Sequence, residues 1–229
     1  MNKSAFVVTA LTGWLLVGAV VAAPQSGVSW PARRSGHALV CDAARGVSVL
    51  FSGNDATYLG DTWEYSGGSW TKRSPANSPP ARRLAYVVYD TNRGRVVLFG
   101  GSSGSGELGD TWEWDGQDWA QISTVGAPSP RSSGAAFFDE STGTMVIFGG
   151  SAGGAPNSET WSYDGVNWQN VTAFPSPSAR LHCRAAYDPI RQIGVMHGGY
   201  PGFGLLNDTW EWGGSGWTQA SPVTSPGPR

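Results

Sequence analysis

Apolar residues along this chain fall into short runs, not helical stripes. His37–Cys41, Ala85–Tyr89, Gly134–Phe138 and Cys183–Tyr187 form a first set, and each run ends at an aspartate: Asp42, Asp90, Asp139 and Asp188. A tight turn follows in which Gly46, Gly94 and Gly143 supply permissive backbone, with Pro189 and Gln192 as the departures of the fourth copy. A second set, Val47–Phe51, Val96–Phe99, Met145–Phe148 and Ile193–His197, is almost continuously apolar. Such runs suit strands covered on both faces. Glycine pairs close them (Gly100-Gly101, Gly149-Gly150, Gly198-Gly199), with Ser52-Gly53 in the first copy. A third strand then reads Asp-Thr-Trp-Glu-Tyr/Trp, varied by Glu159 and Ser162 in the third copy. A small turn leads to a fourth strand carrying a second tryptophan. The pattern predicts units of four antiparallel strands.

These units recur with a fixed step. Arg34, Arg82, Arg131 and Arg180 each stand three residues after a proline and are separated by 48, 49 and 49 residues. Trp63, Trp112, Trp161 and Trp210 are 49 apart, as are Trp70, Trp119, Trp168 and Trp217. A period of that length carrying strands and no helices is the signature of a propeller. The units span 31–78, 79–127, 128–176 and 177–225, after a lead-in at 24–30. Residues 226–229 repeat the Pro-x-x-Arg opening of a unit. The expected fold class is therefore all-β: a β-propeller with four four-stranded antiparallel blades present. Closed propellers hold four to eight blades and an open ring exposes a blade face, so an incomplete part of a larger propeller is expected.

The apolar strand, the glycine pair, the aromatic seven residues before a tryptophan and the Pro-x-x-Arg start fall in one order, and in that order the chain resembles the kelch repeat. The resemblance covers Pro31 to Trp217. It implies a propeller with the first strand innermost and the tryptophan-bearing strand outermost. Similar repeats build the middle of galactose-oxidase-like proteins and many secreted bacterial proteins. In kelch propellers that bind peptides, the residues just after the arginine line the mouth of the central channel. That implies pocket residues Arg83, Ser132, Ser133 and His182. The longer connections after the glycine pairs share this edge, and their compositions differ between copies, which is where function sits on a rigid scaffold. They offer Asn54, Asp55, Tyr58, Glu107, Asn157 and Tyr200 as rim residues.

Charge narrows the partners. The 229 residues carry a net charge of −2, and Lys3 and Lys72 are the only lysines. No basic stripe exists to neutralise phosphates, so nucleic acid is not an expected partner. The N-terminus is distinct: Lys3, an apolar run from Ala5 to Val21, then Ala22-Ala23-Pro24. This reads as a signal peptide over residues 1–23, cleaved after Ala22 or Ala23. Export to an extracellular or periplasmic location is expected, with no membrane span once the signal is removed. Cys41 occupies a slot filled by Tyr89, Phe138 and Tyr187 in the other units and is expected to act as a small core hydrophobe, without a bridge to Cys183.

The recurring arginines and tryptophans read as structure, because a role repeated in every unit belongs to the scaffold. No catalytic residue, metal site or cofactor is expected. Neighbouring strand residues such as His182 and Cys183 point to opposite faces, and no Gly-x-Ser-x-Gly elbow occurs. A copper-radical ligand set cannot be assembled from these tyrosines, histidines and cysteines. The sequence thus predicts a non-catalytic binding module for a protein segment or a glycan. The alternative is the propeller scaffold of a secreted galactose-oxidase-like or other carbohydrate-active enzyme whose catalytic residues lie outside this chain. An adhesion repeat without a defined pocket is a third reading. The sequence specifies no oligomeric state.

Overall fold

The structure, a computed structural model, describes residues 30–228. The predicted signal peptide (1–23) and Arg229 of the repeated Pro-x-x-Arg opening lie outside the described residues. Four sheets of four antiparallel strands are present, in chain order. Blade 1 comprises β1 (Ala38–Asp42), β2 (Val47–Phe51), β3 (Thr62–Ser66) and β4 (Ser69–Arg73). Blade 2 comprises β5 (Tyr86–Asp90), β6 (Arg95–Ser103), β7 (Gly106–Trp114) and β8 (Trp119–Ile122). Blade 3 comprises β9 (Ala135–Asp139), β10 (Thr144–Phe148), β13 (Thr160–Tyr163) and β14 (Trp168–Asn170), with a small hairpin, β11 (Ser151–Ala152) and β12 (Ala155–Pro156), between its second and third strands. Blade 4 comprises β15 (Arg184–Asp188), β16 (Ile193–Gly199), β17 (Leu206–Trp212) and β18 (Trp217–Ala220). No helix among the described residues is long and apolar enough to cross a membrane.

Each blade is a meander, and the blades meet through their first strands: β1 lies beside β5, β5 beside β9, and β9 beside β15. The first strands therefore form the inner wall and the tryptophan-bearing fourth strands the outside. The core lies between blades. One layer joins Val49 and Phe51 to Leu98, Trp114 and Trp119; a second joins Val97 and Phe99 to Ile147, Tyr163 and Trp168; a third joins Val146 and Phe148 to Met196, Trp212 and Trp217. This is why the second strands read as unbroken apolar runs: alternate residues enter different interfaces, and both faces are covered.

The arginine after each Pro-x-x locks its own blade. The guanidinium of Arg82 donates to both carboxylate oxygens of Asp110, at 2.6 and 2.8 Å, and to the carbonyl of Gly100. Asp110 in turn accepts the indole N–H of Trp112 at 2.7 Å. Arg34 with Asp61 and Trp63, and Arg180 with Asp208 and Trp210, repeat the arrangement, and Glu159 takes the aspartate's place beside Arg131. The second glycine of each pair donates its N–H to the carbonyl of the next blade's arginine: Gly53 to Arg82, Gly101 to Arg131 and Gly150 to Arg180. The first glycine is left-handed, and a Cβ on Gly100 would sit 2.5 Å from the Arg131 carbonyl oxygen, so glycine is required there.

Two expectations change. The connection from Ser102 to Gly109 is an ordered extension of β6 and β7, because a register shift at Gly100-Gly101 lets the pairing resume through Gly101–Leu108 and Ser102–Glu107. Cys41 is exposed rather than a core hydrophobe, because among the described residues no blade covers the face of blade 1 on which it stands. Cys183 is buried and free, and burial pushes its thiol up to about 11.

Candidate functional site

The edge that carries the glycine-pair connections also carries a belt of backbone at the mouth of the inner wall. The second residue after each arginine (Gly36, Leu84, Ser133, His182) has φ between 56° and 66°. Three of the four are not glycine. Left-handed backbone costs an L-residue roughly 1–2 kcal/mol, so something must hold it. Hydrogen bonds between successive blades do so: Leu84 N–H donates to Gly36 at 2.7 Å, Ser133 N–H to Leu84 at 3.0 Å, and His182 N–H to Ser133 at 2.6 Å. Strained backbone persists only where its surroundings over-determine it, and here the blade-to-blade bonds do so.

The residue before each belt position pairs with the residue that follows the glycine pair, as in Ser35 with Asn54, Arg83 with Ser102, Ser132 with Ser151, and Leu181 with Tyr200. The structure thus brings Arg83, Ser132, Ser133 and His182 onto one rim. Ser132 and Ser133 are buried within it, and the His182 side chain is exposed. Tyr58, from blade 1, lies against Arg83 of blade 2, with the guanidinium carbon 5.8 Å from the ring centroid. Asp55 pairs with Arg33 at 3.0 Å, and Glu107 accepts the N–H of Gly153 at 2.6 Å, tying the extended hairpin of blade 2 to that of blade 3. Asn157 turns inward, its Oδ1 accepting from Arg131 and from the N–H of Glu159. The Asn54 amide donates to the Asp55 carbonyl and accepts from the Ser35 hydroxyl, and the Tyr200 hydroxyl donates to the carbonyl of Gly202.

Electrostatics single out two cations. Among the described arginines, Arg83 and Arg184 alone form no ion pair. The Arg83 Nε is buried with no hydrogen-bond partner among the described residues. Arg184 opens β15 and lines a cavity of about 250 Å3 formed by the first strands of all four blades. Both arginines act on His182: burial and then the charges of Arg184 and Arg83 hold its imidazole below the usual histidine range. Arg184 was not among the residues singled out from sequence. Its slot holds Tyr86 in blade 2 and Ala135 in blade 3, each buried against the following blade; among the described residues no blade follows blade 4, which is why Arg184 is exposed. Of the near carboxylates, Asp55 is paired with Arg33, and Glu107 is held by the N–H of Gly153.

The arrangement offers cationic and polar groups on a rigid, strained rim and an inner wall of small apolar residues. It can hold an anionic group by charge-assisted hydrogen bonds. Among the described residues no three His, Cys, Asp or Glu side chains converge as a metal site. No curated protein matches the chain. A family model described as a DUF6242 beta propeller domain matches residues 5–200, most of the 229 residues, and with four antiparallel blades in place the chain belongs to that family.

Proposed function

We propose that the blades are kelch repeats and that the protein is an exported binding module, without catalysis of its own, for a protein segment or glycan that presents a carboxylate to the channel mouth. The observation that carries this reading is the pair of arginines without counter-ions at the rim, one of them with a buried and unpartnered Nε. The left-handed belt supports the reading, because it keeps the rim rigid and limits the ordering that binding would otherwise require.

The test is retention of the protein on immobilised peptides and oligosaccharides graded by charge. Members bearing carboxylates should be held and their neutral counterparts should not. Arg83→Ala combined with Arg184→Ala should weaken retention tenfold or more, equivalent to about 1.4 kcal/mol, while the melting curve stays in place. Retention indifferent to ligand charge, or binding and melting lost together, would refute the reading. Burial and then the charges of Arg184 and Arg83 hold His182 below the usual histidine range, so its protonation, which adds a third cation, comes only at more acidic pH, and capture of acidic ligands should strengthen as pH is lowered through it.

A further inference from the structure

The connections that follow the glycine pairs in blades 2 and 4 share one tip. Blade 2 reads Gly104-Ser105-Gly106, and blade 4 reads Gly202-Phe203-Gly204 two periods further on. Ser105 is exposed with blade 3 standing beside it, and Gly154 at the tip of blade 3 is exposed with blade 4 beside it. The tip therefore projects past a following blade, and Phe203, 81% exposed, owes that exposure to its place on the hairpin. Leu205 is set aside, because its counterpart Glu107 reaches Gly153 of the following blade. Gly202 and Gly204 have positive φ, 109° and 61°, and the Tyr200 hydroxyl donates to the Gly202 carbonyl at 2.7 Å, so the tip is held in shape.

Phe203 does not stand alone. Tyr200 is 37% exposed and pairs through its backbone with Leu181 at 2.7 and 3.0 Å, and Pro201 follows it. Apolar side chains scattered singly over a surface carry no message, whereas a contiguous apolar patch marks a contact site. The other side of the mouth is cationic. The Arg83 guanidinium lies against the Tyr58 ring, which in turn is 3.8 Å from where a Cβ on Gly104 of blade 2 would sit. Between the two stands blade 3, whose tip is Gly153-Gly154 with open space above each. A charged post, a floor without side chains and an apolar post thus follow one another around the rim.

We propose, on the premise that the mouth takes a carboxylate, that the ligand is a peptide segment with an apolar side chain set a few residues from its acidic one. The carboxylate meets Arg83, and the extended backbone crosses the glycine tip of blade 3, where no side chain obstructs it. The apolar side chain packs against Phe203 and Tyr200. The loop favours a peptide over a glycan. From Tyr200 to Leu206 it reads Tyr-Pro-Gly-Phe-Gly-Leu-Leu, and its one side-chain polar atom, the Tyr200 hydroxyl, already spends its proton on Gly202. A sugar ring there would find no side-chain donor for its hydroxyls, and sites that orient a polar ligand depend on such groups. An exposed aromatic anchor suits a leucine- or phenylalanine-sized side chain instead.

Retention of the full chain on immobilised peptides of equal length tests this. The set carries glutamate and phenylalanine at graded separations, glutamate alone, phenylalanine alone, or neither. At one separation the peptide with both should be held about fivefold or more tightly than the peptide with glutamate alone. Phe203→Ser, the change to the residue of the blade 2 tip, should abolish that advantage and leave the charge dependence in place, while Phe203→Leu should keep it. Arg83→Ala should weaken retention of every glutamate peptide. An advantage absent at every separation, or one that survives Phe203→Ser, overturns the proposal, and a charge dependence that persists beside it leaves the carboxylate reading standing. Retention indifferent to charge removes both. An acidic oligosaccharide held as tightly as the best peptide, and equally by Phe203→Ser, also overturns the choice of a peptide.

Discussion

Arg82, Arg131 and Arg180 are wholly buried, and each meets a complete set of acceptors. For Arg82 these are the two oxygens of Asp110 and the carbonyls of Pro80 and Gly100. A buried charge is tolerable only when paired and hydrogen-bonded. Asp110→Ala should therefore destabilise by about 3–5 kcal/mol in urea unfolding, because it strands the guanidinium. Arg82→Lys should rescue little, since a lysine cannot make the two-pronged contact; a change within about 0.5 kcal/mol for either variant would contradict this account. That these arginines are structural is legible from their recurrence alone. The inward turn of Asn157 is not. It follows from Glu159, whose longer side chain in the aspartate slot of the third unit leaves an Arg131 nitrogen and its own N–H for the Asn157 amide to satisfy.

At the scale of the strand and its neighbour, one repeat position has two environments. Trp168 is buried beneath blade 2, its ring tilted against Phe99 with centroids 4.8 Å apart, and bonded to Thr111. Trp70 holds the same place in blade 1, with no blade over it among the described residues. Trp168→Ala should cost about 3–5 kcal/mol as a core truncation. Trp70→Ala should cost less than half as much. Equal costs would mean that Trp70 is covered as fully as Trp168. The period predicted both tryptophans equally, because sequence records the position and not whether a neighbour arrives. The extended hairpin of blade 2 was hidden for a related reason. Its strands are serine, glycine and glutamate, with no apolar alternation to mark them, and they exist because the bulge at Gly100-Gly101 restores their register.

For the molecule as a whole, acid is the informative perturbation. Burial alone would push Asp61, Asp110, Asp208 and Glu159 up, but the arginine beside each outweighs it and holds the carboxyl below its ordinary range. A folded-state value below the unfolded one stabilises fully above the unfolded value, about 4, and that contribution is lost as pH falls through the folded value. The melting temperature should be flat from pH 8 to about 5 and fall steeply below about pH 4. A profile that stays flat to pH 2 would show that the four clamps do not govern stability.

Period, strand count, the glycine pairs and the scaffold role of arginine and tryptophan are all local or periodic properties, and for that reason they can be read along the chain. Strand pairing within a unit spans few residues, and the repeat states it four times. Relations between units belong to the tertiary structure. The folded chain decides that Arg83 and Arg184, far apart in sequence and in different blades, face one channel mouth without counter-ions. It decides that Leu84, Ser133 and His182 are held left-handed by the blade before them, and that Cys41 is exposed while Cys183 is buried. Each of these depends on which blade stands beside which, and side chains that meet across an interface leave no spacing rule in the chain that carries them.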